Sequence, residues 1–275
     1  RCEMLERQRL EAWAGAYPPV RTPKRVLVVM AGNIPLVGFF DLLCVLASGH
    51  ACRVKPSSKD TVLIGYVIDL LRTIDPAIPL RMAEQGERPD AVIATGSDNA
   101  NRYFRMLFGG IPSLLRGSRQ SVAVLSGRET AAELSGLEED IFAYSGLGCR
   151  NVSLLFLPRG YMPELRCTAL NEKYRRNYLR ERALLRMRRM PFVDLDGAVL
   201  CEDRSFPAAL SRIHYTFYDS LADVEAWLAA HDDRLQCVVS QCVRHSRRVA
   251  FGRAQHPGLT DYADDVDTMR FLGTI

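Results

Sequence analysis

Twice before Asp75 the chain passes from a short apolar run, through a polar or glycine-bearing turn, into a longer helical pattern, and a third apolar run with such a turn follows before Asp98. That rhythm limits the fold to few classes. Val26 to Pro35 (VLVVMAGNIP) reads as a buried strand broken by Ala31-Gly32-Asn33-Ile34-Pro35, and Leu36 to Leu46 as a helix packed on a sheet. Ala51 to Lys55 (ACRVK) reads as a second strand, Pro56-Ser57-Ser58-Lys59-Asp60 as a loop able to cap a helix, and Thr61 to Ile74 as that helix. A third strand, Ala91 to Ala94, ends in Thr95-Gly96-Ser97. Strands alternating with helices imply an α/β fold with a parallel sheet and right-handed crossovers, whose ligands bind outside the carboxyl ends of the strands. Asn33, Lys55, Gly96 and Ser97 all fall just past such ends.

The pentapeptide Gly146-Leu147-Gly148-Cys149-Arg150 adds chemistry to this frame. Glu129 to Tyr144 before it has acidic and apolar residues at helical spacing, and Val152 to Leu157 (VSLLFL) after it reads as a buried strand closed by Pro158. Two glycines let the backbone bend sharply beside a ligand, so Cys149 reads as an accessible nucleophilic thiol rather than a packing residue. Arg150 either lowers the pKa of that thiol by its charge or turns away into a salt bridge. Further strands are expected at Ser121 to Leu125, Ile213 to Tyr218 and Leu235 to Ser240, and an amphipathic helix at Leu221 to His231.

Several function classes lose support from the composition. Lys and Arg (36) and Asp and Glu (32) are interleaved, so the formal charge of +4 gives no reason to expect a nucleic-acid partner. Lys173 to Arg189 is the exception: a basic helix opposed only by Glu181, read as a solvated face or as a docking surface for coenzyme A phosphates, a carrier protein or an acidic membrane. No apolar run reaches the length of a membrane span; Leu36 to Leu46 is too short and carries Asp41. Eight cysteines without a secretion signal read as reduced thiols of a cytoplasmic protein. Cys44, Cys52 and Cys237 read as core residues, and the five histidines as turn or surface residues. Cys237, Cys242 and His245 are poorly spaced for zinc, and the acidic segment Gly258 to Met269 lacks the glycine and glutamate of a calcium loop, so no metal is expected and helix capping is the reading there. Neither a GxxxxGK nor a GxGxxG phosphate loop occurs.

These motifs together resemble the aldehyde dehydrogenase superfamily, and most closely its LuxC-type acyl-CoA reductases. The segments AGNIPLVGFFDLLCVLASGH, AVIATGSDNANRYF, FAYSGLGCRNVS and LTDYADDVDTM carry the likeness, in that order, from about Val26 onward. The resemblance implies two Rossmann-like parallel-sheet domains with the active site in the cleft between them. It also implies Cys149 as catalytic nucleophile, Asn33 as oxyanion donor, Lys55 and Ser58 at the adenosine end of a nicotinamide cofactor, and Gly96 and Ser97 at its phosphates. Relatives in that family extend further at the amino end, and this chain opens on Arg1 rather than Met, so its start is expected to be incomplete.

Asn99 to Arg128 contains no Asp or Glu and five arginines. The resembled hydrolytic dehydrogenases keep a glutamate ahead of the cysteine to activate water, so its lack points to acyl exchange with a good thiol leaving group, coenzyme A. A base from elsewhere, Glu138 or Glu202, stays open. The expected reaction is NADPH-dependent reduction of an acyl-CoA to a free aldehyde through a thioacyl enzyme, with NADH as a possible substitute. Rival readings are an acyl phosphate reductase of the same superfamily and a non-catalytic scaffold in an acyl-processing complex. Expected partners are an acyl-CoA or acyl-carrier substrate and a homo-oligomer or acyl-transfer complex. The expected domains are a cofactor-binding part (1–115), a catalytic part (116–255) and a tail (256–275).

Overall fold

A computed structural model describes residues 3–167 and 171–275; Cys2 lies outside them. In chain order the regular elements begin with α1 (Arg7–Gly15), β1 (Arg25–Val29), α2 (Phe39–Ala47), β2 (Ala51–Lys55), α3 (Thr61–Ile74), β3 (Leu80–Met82), β4 (Ala91–Thr95), α4 (Asp98–Phe108) and β5 (Ser113–Arg116). They continue with β6 (Gln120–Val124), α5 (Ala131–Phe142), β7 (Val152–Pro158), α6 (Glu172–Met187), β8 (Val193–Asp194), β9 (Val199–Glu202) and β10 (Arg212–Tyr218). The last are α7 (Leu221–Ala230), β11 (Leu235–Ser240), β12 (Arg248–Val249) and α8 (Thr268–Leu272). Two compact units result, one of residues 1–118 with 258–275 and one of residues 119–257. The segment from Gly258, expected as a tail, therefore folds with the first unit.

The first unit is built on an all-parallel sheet of order β3-β2-β1-β4-β5. Its strands are short and apolar on both sides because both faces are meant to be covered. One face carries α2 and α3, whose Leu42, Val45, Ile64 and Ile68 pack with Trp13, Tyr262, Met269 and Leu272 from the two ends of the chain. Tyr262 Oη accepts a hydrogen bond from Trp13 Nε1 at 2.8 Å, and Tyr17 Oη donates to Asp267 at 3.0 Å. Asp267 also caps α8 by accepting from Arg270 N–H at 2.8 Å, the capping role expected of this acidic segment.

Asp41, which interrupts the apolar run of α2, is buried against Arg116 from the end of β5 at 2.6 and 2.7 Å, while Arg116 also donates to Thr268 Oγ1 at 2.7 Å. Burying one charge is affordable here only because its partner is buried with it. His50 corrects the expectation of a turn or surface histidine. It is fully buried, its Nδ1 accepting from Lys24 N–H at 3.0 Å and its Nε2 lying 2.9 Å from the Leu272 carbonyl, which makes it a crosslink between three segments. His214 is likewise buried, its Nδ1 2.7 Å from the Ser205 carbonyl.

The second unit has a sheet of order β12-β11-β6-β7-β10-β9-β8, parallel except for the β8–β9 pair. β6 and β7 run through its middle and alternate by the period of two: Val122, Val124, Leu154 and Phe156 face α7, whereas Ala123, Leu125, Leu155 and Leu157 face α5. α5 starts on a capping box in which Thr130 and Glu133 bond each other's backbone N–H. Among the described residues no helix is long and apolar enough to cross a membrane.

Candidate active site

In the first unit the candidate residues gather at the carboxyl ends of β1, β2 and β4. The loops after β1 and β2 lie against each other so closely that a Cβ on Gly32 would stand 2.3 Å from Ser57 Oγ. That contact explains a glycine directly before Asn33. Asp60 fastens the same two loops by accepting Leu36 N–H at 2.8 Å. Asp60 is the N-cap residue of α3, as the loop composition suggested, yet its side chain makes no bond to that helix. The latch holds Leu36 at φ 55°, a left-handed conformation that a leucine rarely adopts. Asn33, Lys55 and Ser58 are exposed on this platform.

Ser97 caps α4, its Oγ accepting Ala100 N–H at 3.3 Å, so the amino end of an eleven-residue helix opens beside it. Gly96 lets the turn pack closely on α4, since a Cβ there would meet Ala100 Cβ at 2.9 Å and the Phe104 ring at 3.1 Å, and it leaves the backbone bare at the amino end of that helix. The link from β3 to β4 passes two intervening strands with residues 83–90 and no helix. Parallel crossovers ordinarily carry a helix. Its absence leaves a cavity of about 500 Å³ floored by Leu27, Ala83 and Phe108 and edged by Arg53 and Lys55. Glu87 pins the loop, accepting from Arg53 Nε at 2.9 Å and Arg81 Nη2 at 3.0 Å. Burial pushes its carboxyl up, but the Glu84 N–H and the two guanidinium groups outweigh that and hold it below the usual carboxylate range.

In the second unit Cys149 precedes β7 and so stands at the amino edge of its sheet. Tyr144 (φ 51°), Ser145 (φ 55°) and Gly146 (φ 66°) form a left-handed run that turns the chain out of α5. Two non-glycine residues in that region cost roughly 1–2 kcal/mol each, so the turn must be held by other contacts. Asn151 holds it. Its Oδ1 accepts Gly148 N–H at 2.8 Å, and its Nδ2 donates to the carbonyls of Asp140, Ile141 and Ala143 at 3.2, 3.1 and 2.9 Å. A Cβ on Gly148 would lie 2.9 Å from Asn151 Oδ1, so the glycine is required by the anchor. Behind the cysteine, Ser121 Oγ donates to the Cys149 carbonyl at 2.9 Å. A cavity of about 200 Å³ lies at the same edge of the sheet, lined by Gln120, Gly148, Ser153, Tyr174 and Arg212 among others.

The thiols differ sharply in environment. Burial pushes Cys237 up to about 11 and Cys52 and Cys167 up to about 12, and raises Cys44 and Cys201 as well. Cys149 is the one exposed cysteine among the described residues. The core readings of Cys44, Cys52 and Cys237 agree with this burial. Asn151 and Glu87 escape the reading of the sequence, and Asp60 enters it only as part of a capping loop, not as the latch to Leu36. Only the place of Asn151, two residues after the cysteine and directly before an apolar strand, offered a signal.

No family model matches the chain, and no curated protein matches it in sequence. Solved structures do match over most of its length. An aldehyde dehydrogenase of Mycobacterium tuberculosis complexed with NAD+ superposes at TM-score 0.58 with 17% identity, covering 74% of this chain and 53% of its own. A NAD-dependent benzaldehyde dehydrogenase of Corynebacterium glutamicum gives 0.58 and 15%, covering 84% and 65%, and an aldehyde dehydrogenase of Bacillus cereus in complex with NAD+ gives 0.59 and 12%, covering 86% and 62%. The fold is that of the aldehyde dehydrogenases. The chain spans between about half and two thirds of the length of these aldehyde dehydrogenase chains.

Proposed function

We propose that this chain belongs to a nicotinamide-dependent oxidoreductase that reduces an acyl-CoA thioester to an aldehyde, with Cys149 as nucleophile. The observation that carries the reading is the contrast, among the described residues, between one exposed thiol on a rigidly anchored turn and the buried or partly buried thiols of Cys237, Cys52 and Cys167, whose pKa values burial raises. The Cys149 thiolate adds to the thioester carbonyl and the coenzyme A thiolate leaves, taking up a proton. The developing oxyanion is assigned to the Cys149 backbone N–H and to the side-chain amide of Asn33, donors typically worth about 3 kcal/mol each. Asn151, by fixing the turn, keeps the Cys149 backbone in place. After reduction of the acyl carbon the thiohemiacetal collapses, returning the thiolate and releasing aldehyde.

The acids raised as water-activating bases support thiol exchange over hydrolysis. Glu138 accepts Arg166 N–H at 2.7 Å, and Glu202 ends β9, at the opposite edge of its sheet from the cysteine turn. The first unit fits a nicotinamide dinucleotide. The cavity beside Lys55 joins an apolar floor to an edge where Lys55 stands beside the paired Arg53 and Glu87 and beside Glu84, which Arg81 engages, so that Lys55 is the cation available to a phosphorylated adenosine, and the amino end of α4 at Ser97 suits a pyrophosphate. Such a cofactor supplies hydride. Lys55, Ser58, Gly96 and Ser97 are the residues assigned to hold it, with NADPH preferred because Lys55 and Lys59 stand in the loop without an acid before Asp60. The test is mass spectrometry of the chain after incubation with an acyl-CoA in the absence of reductant. An acyl adduct on the peptide containing Cys149 supports the reading, and acylation elsewhere or nowhere in folded protein overturns it.

A further inference from the structure

α6 carries two seams of apolar side chains, and the fold uses only one of them. Tyr174, Tyr178, Glu181 and Leu185 face inward, where Tyr178 and Leu185 pack with Val199 and Cys201 of β9. On the outer side Leu179, Ala183 and Met187 recur every four residues, one stripe along the helix, with Leu179 48% and Met187 81% exposed. Exposed Met190 and Val193 lie just beyond the carboxyl end of the helix.

Exposed cations border this stripe on both sides, Lys173 and Arg180 along one and Arg175 and Arg186 along the other, with Arg176 in line with it one turn before Leu179 and Arg188 and Arg189 at the carboxyl end. The acids of the helix do little to offset them. Glu172 pairs with Arg176 at 2.9 Å, while Glu181 is buried and is taken up by Arg212 and Arg180. Among the described residues no ion pair engages Lys173, Arg175, Arg186, Arg188 or Arg189. A merely solvated helix face has no use for methionine and leucine along its centre, and a second copy of the same face would be repelled by its own charge. An apolar stripe bordered by arginine and lysine is the pattern of a helix lying in a lipid–water interface.

We propose that the outer face of α6 docks the protein on an anionic membrane surface, with Leu179 and Met187 entering the headgroup region and the flanking cations on lipid phosphates and carboxylates. The inference stands apart from the thioester reading, since it uses none of the residues assigned to the reaction. The experiment is co-sedimentation of the full chain with vesicles of phosphatidylcholine alone or mixed with phosphatidylserine, at low and high salt, with circular dichroism to confirm folded variants. The chain is expected to sediment with the anionic vesicles only, and to be released by salt. Arg175→Glu with Arg186→Glu should lower partitioning about 100-fold or more, at roughly fivefold for each charge near such a surface. Leu179→Ser with Met187→Ser should lower it about tenfold. No binding to anionic vesicles, equal binding to neutral ones, or unchanged binding in either variant overturns the proposal. A chain that ignores vesicles yet binds polyglutamate, with loss in the charge-reversal variant alone, would identify an acidic protein as the partner instead.

Discussion

The two edges that carry the candidate residues are built differently. At the carboxyl edge of the first sheet, Asn33, Lys55, Ser58 and Ser97 sit on loops fixed by separate contacts from different residues: the Gly32–Ser57 approach, the Asp60–Leu36 latch and the Ser97 cap of α4. At the amino edge of the second sheet, one side chain, Asn151, ties a left-handed run to the last carbonyls of α5 and to Gly148. Several loops that each contribute one contact suit the grip of a long ligand. A single strained turn with a buried anchor suits a nucleophile, whose reach must be reproducible to a fraction of an ångström. Damage should therefore be graded on the first edge and abrupt on the second.

The most abrupt loss is expected from Cys149→Ala. Acyl-CoA-dependent oxidation of the reduced cofactor should fall at least about 10³-fold with an unchanged far-ultraviolet spectrum, because no other exposed thiol stands ready among the described residues. Activity within a few-fold of the parent would remove Cys149 from the mechanism. Next is Asn151→Ala, which strips four bonds from one buried site. Denaturant titration should show about 3 kcal/mol of lost stability, and alkylation of Cys149 should change its rate. Asn151→Asp should be no better, since its carboxylate keeps the bond from Gly148 N–H and faces three carbonyl oxygens with nothing to donate. If the alanine variant were as stable as the parent, the turn would be held by something other than Asn151. On the first edge, Asn33→Ala should lower kcat about 10²-fold by removing one oxyanion donor. A change confined to KM would make Asn33 a binding residue.

How far each edge can be read from sequence follows from the range of its interactions. β2, α3 and β11 have the bounds that periodicity and flanking turn residues give, and α2, β4, β6, β7, β10 and α7 lie within a few residues of theirs. The candidate residues are legible for the same reason: loops at strand ends are local features. β3, β5, β8, β9 and β12 escape because two to four residues are too few to show a period. The Thr130–Glu133 capping box was present as Thr-x-x-Glu and carried an available signal. By contrast, the Arg116–Asp41 pair joins residues 75 apart and the His50–Leu272 bond residues 222 apart, so neither leaves a trace in local spacing. The segment from Gly258 looked like a tail because its acids suggest surface, whereas Tyr262, Met269 and Leu272 are core residues of the first unit.

Asp140 tests the anchor from behind, with a smaller effect. Burial, reinforced by the charge of Glu139, pushes its carboxyl up to about 6, although N–H bonds from Gly252 at 2.7 Å and Ala254 at 2.9 Å favour the ionised form. The folded chain thus holds this proton more tightly than the unfolded chain does. The resulting stability is complete below about pH 4 and is lost as pH rises through about 6, a difference of about 2 kcal/mol between pH 4 and 7. Unfolding measured across that range should show this slope in the parent and not in Asp140→Asn. The same slope in both would place its origin in other groups.

The smallest expected effect lies on the first edge and bears on cofactor choice. Ser58 is exposed in a loop where Lys55 and Lys59 precede the first acid, Asp60, and that acid is already engaged with Leu36 N–H. The neighbouring glutamates are also committed, Glu87 to Arg53 and Arg81, and Glu84 to Arg81 at 2.7 Å. No acid of this cavity is thus left uncompensated to oppose a 2′-phosphate or to bind free ribose hydroxyls. Ser58→Glu would add such an acid beside Lys55. The kcat/KM for NADPH should fall about tenfold, one lost charge-assisted contact, with that for NADH unchanged or higher. Because the substitution is on an exposed loop, Tm should not move, which separates a reading residue from a structural one. A parent chain that uses both cofactors equally, or a Glu variant that keeps its NADPH efficiency, would show that the 2′-phosphate is read elsewhere, and the cations Arg53 and Lys55 edging the cavity would be the next residues to exchange.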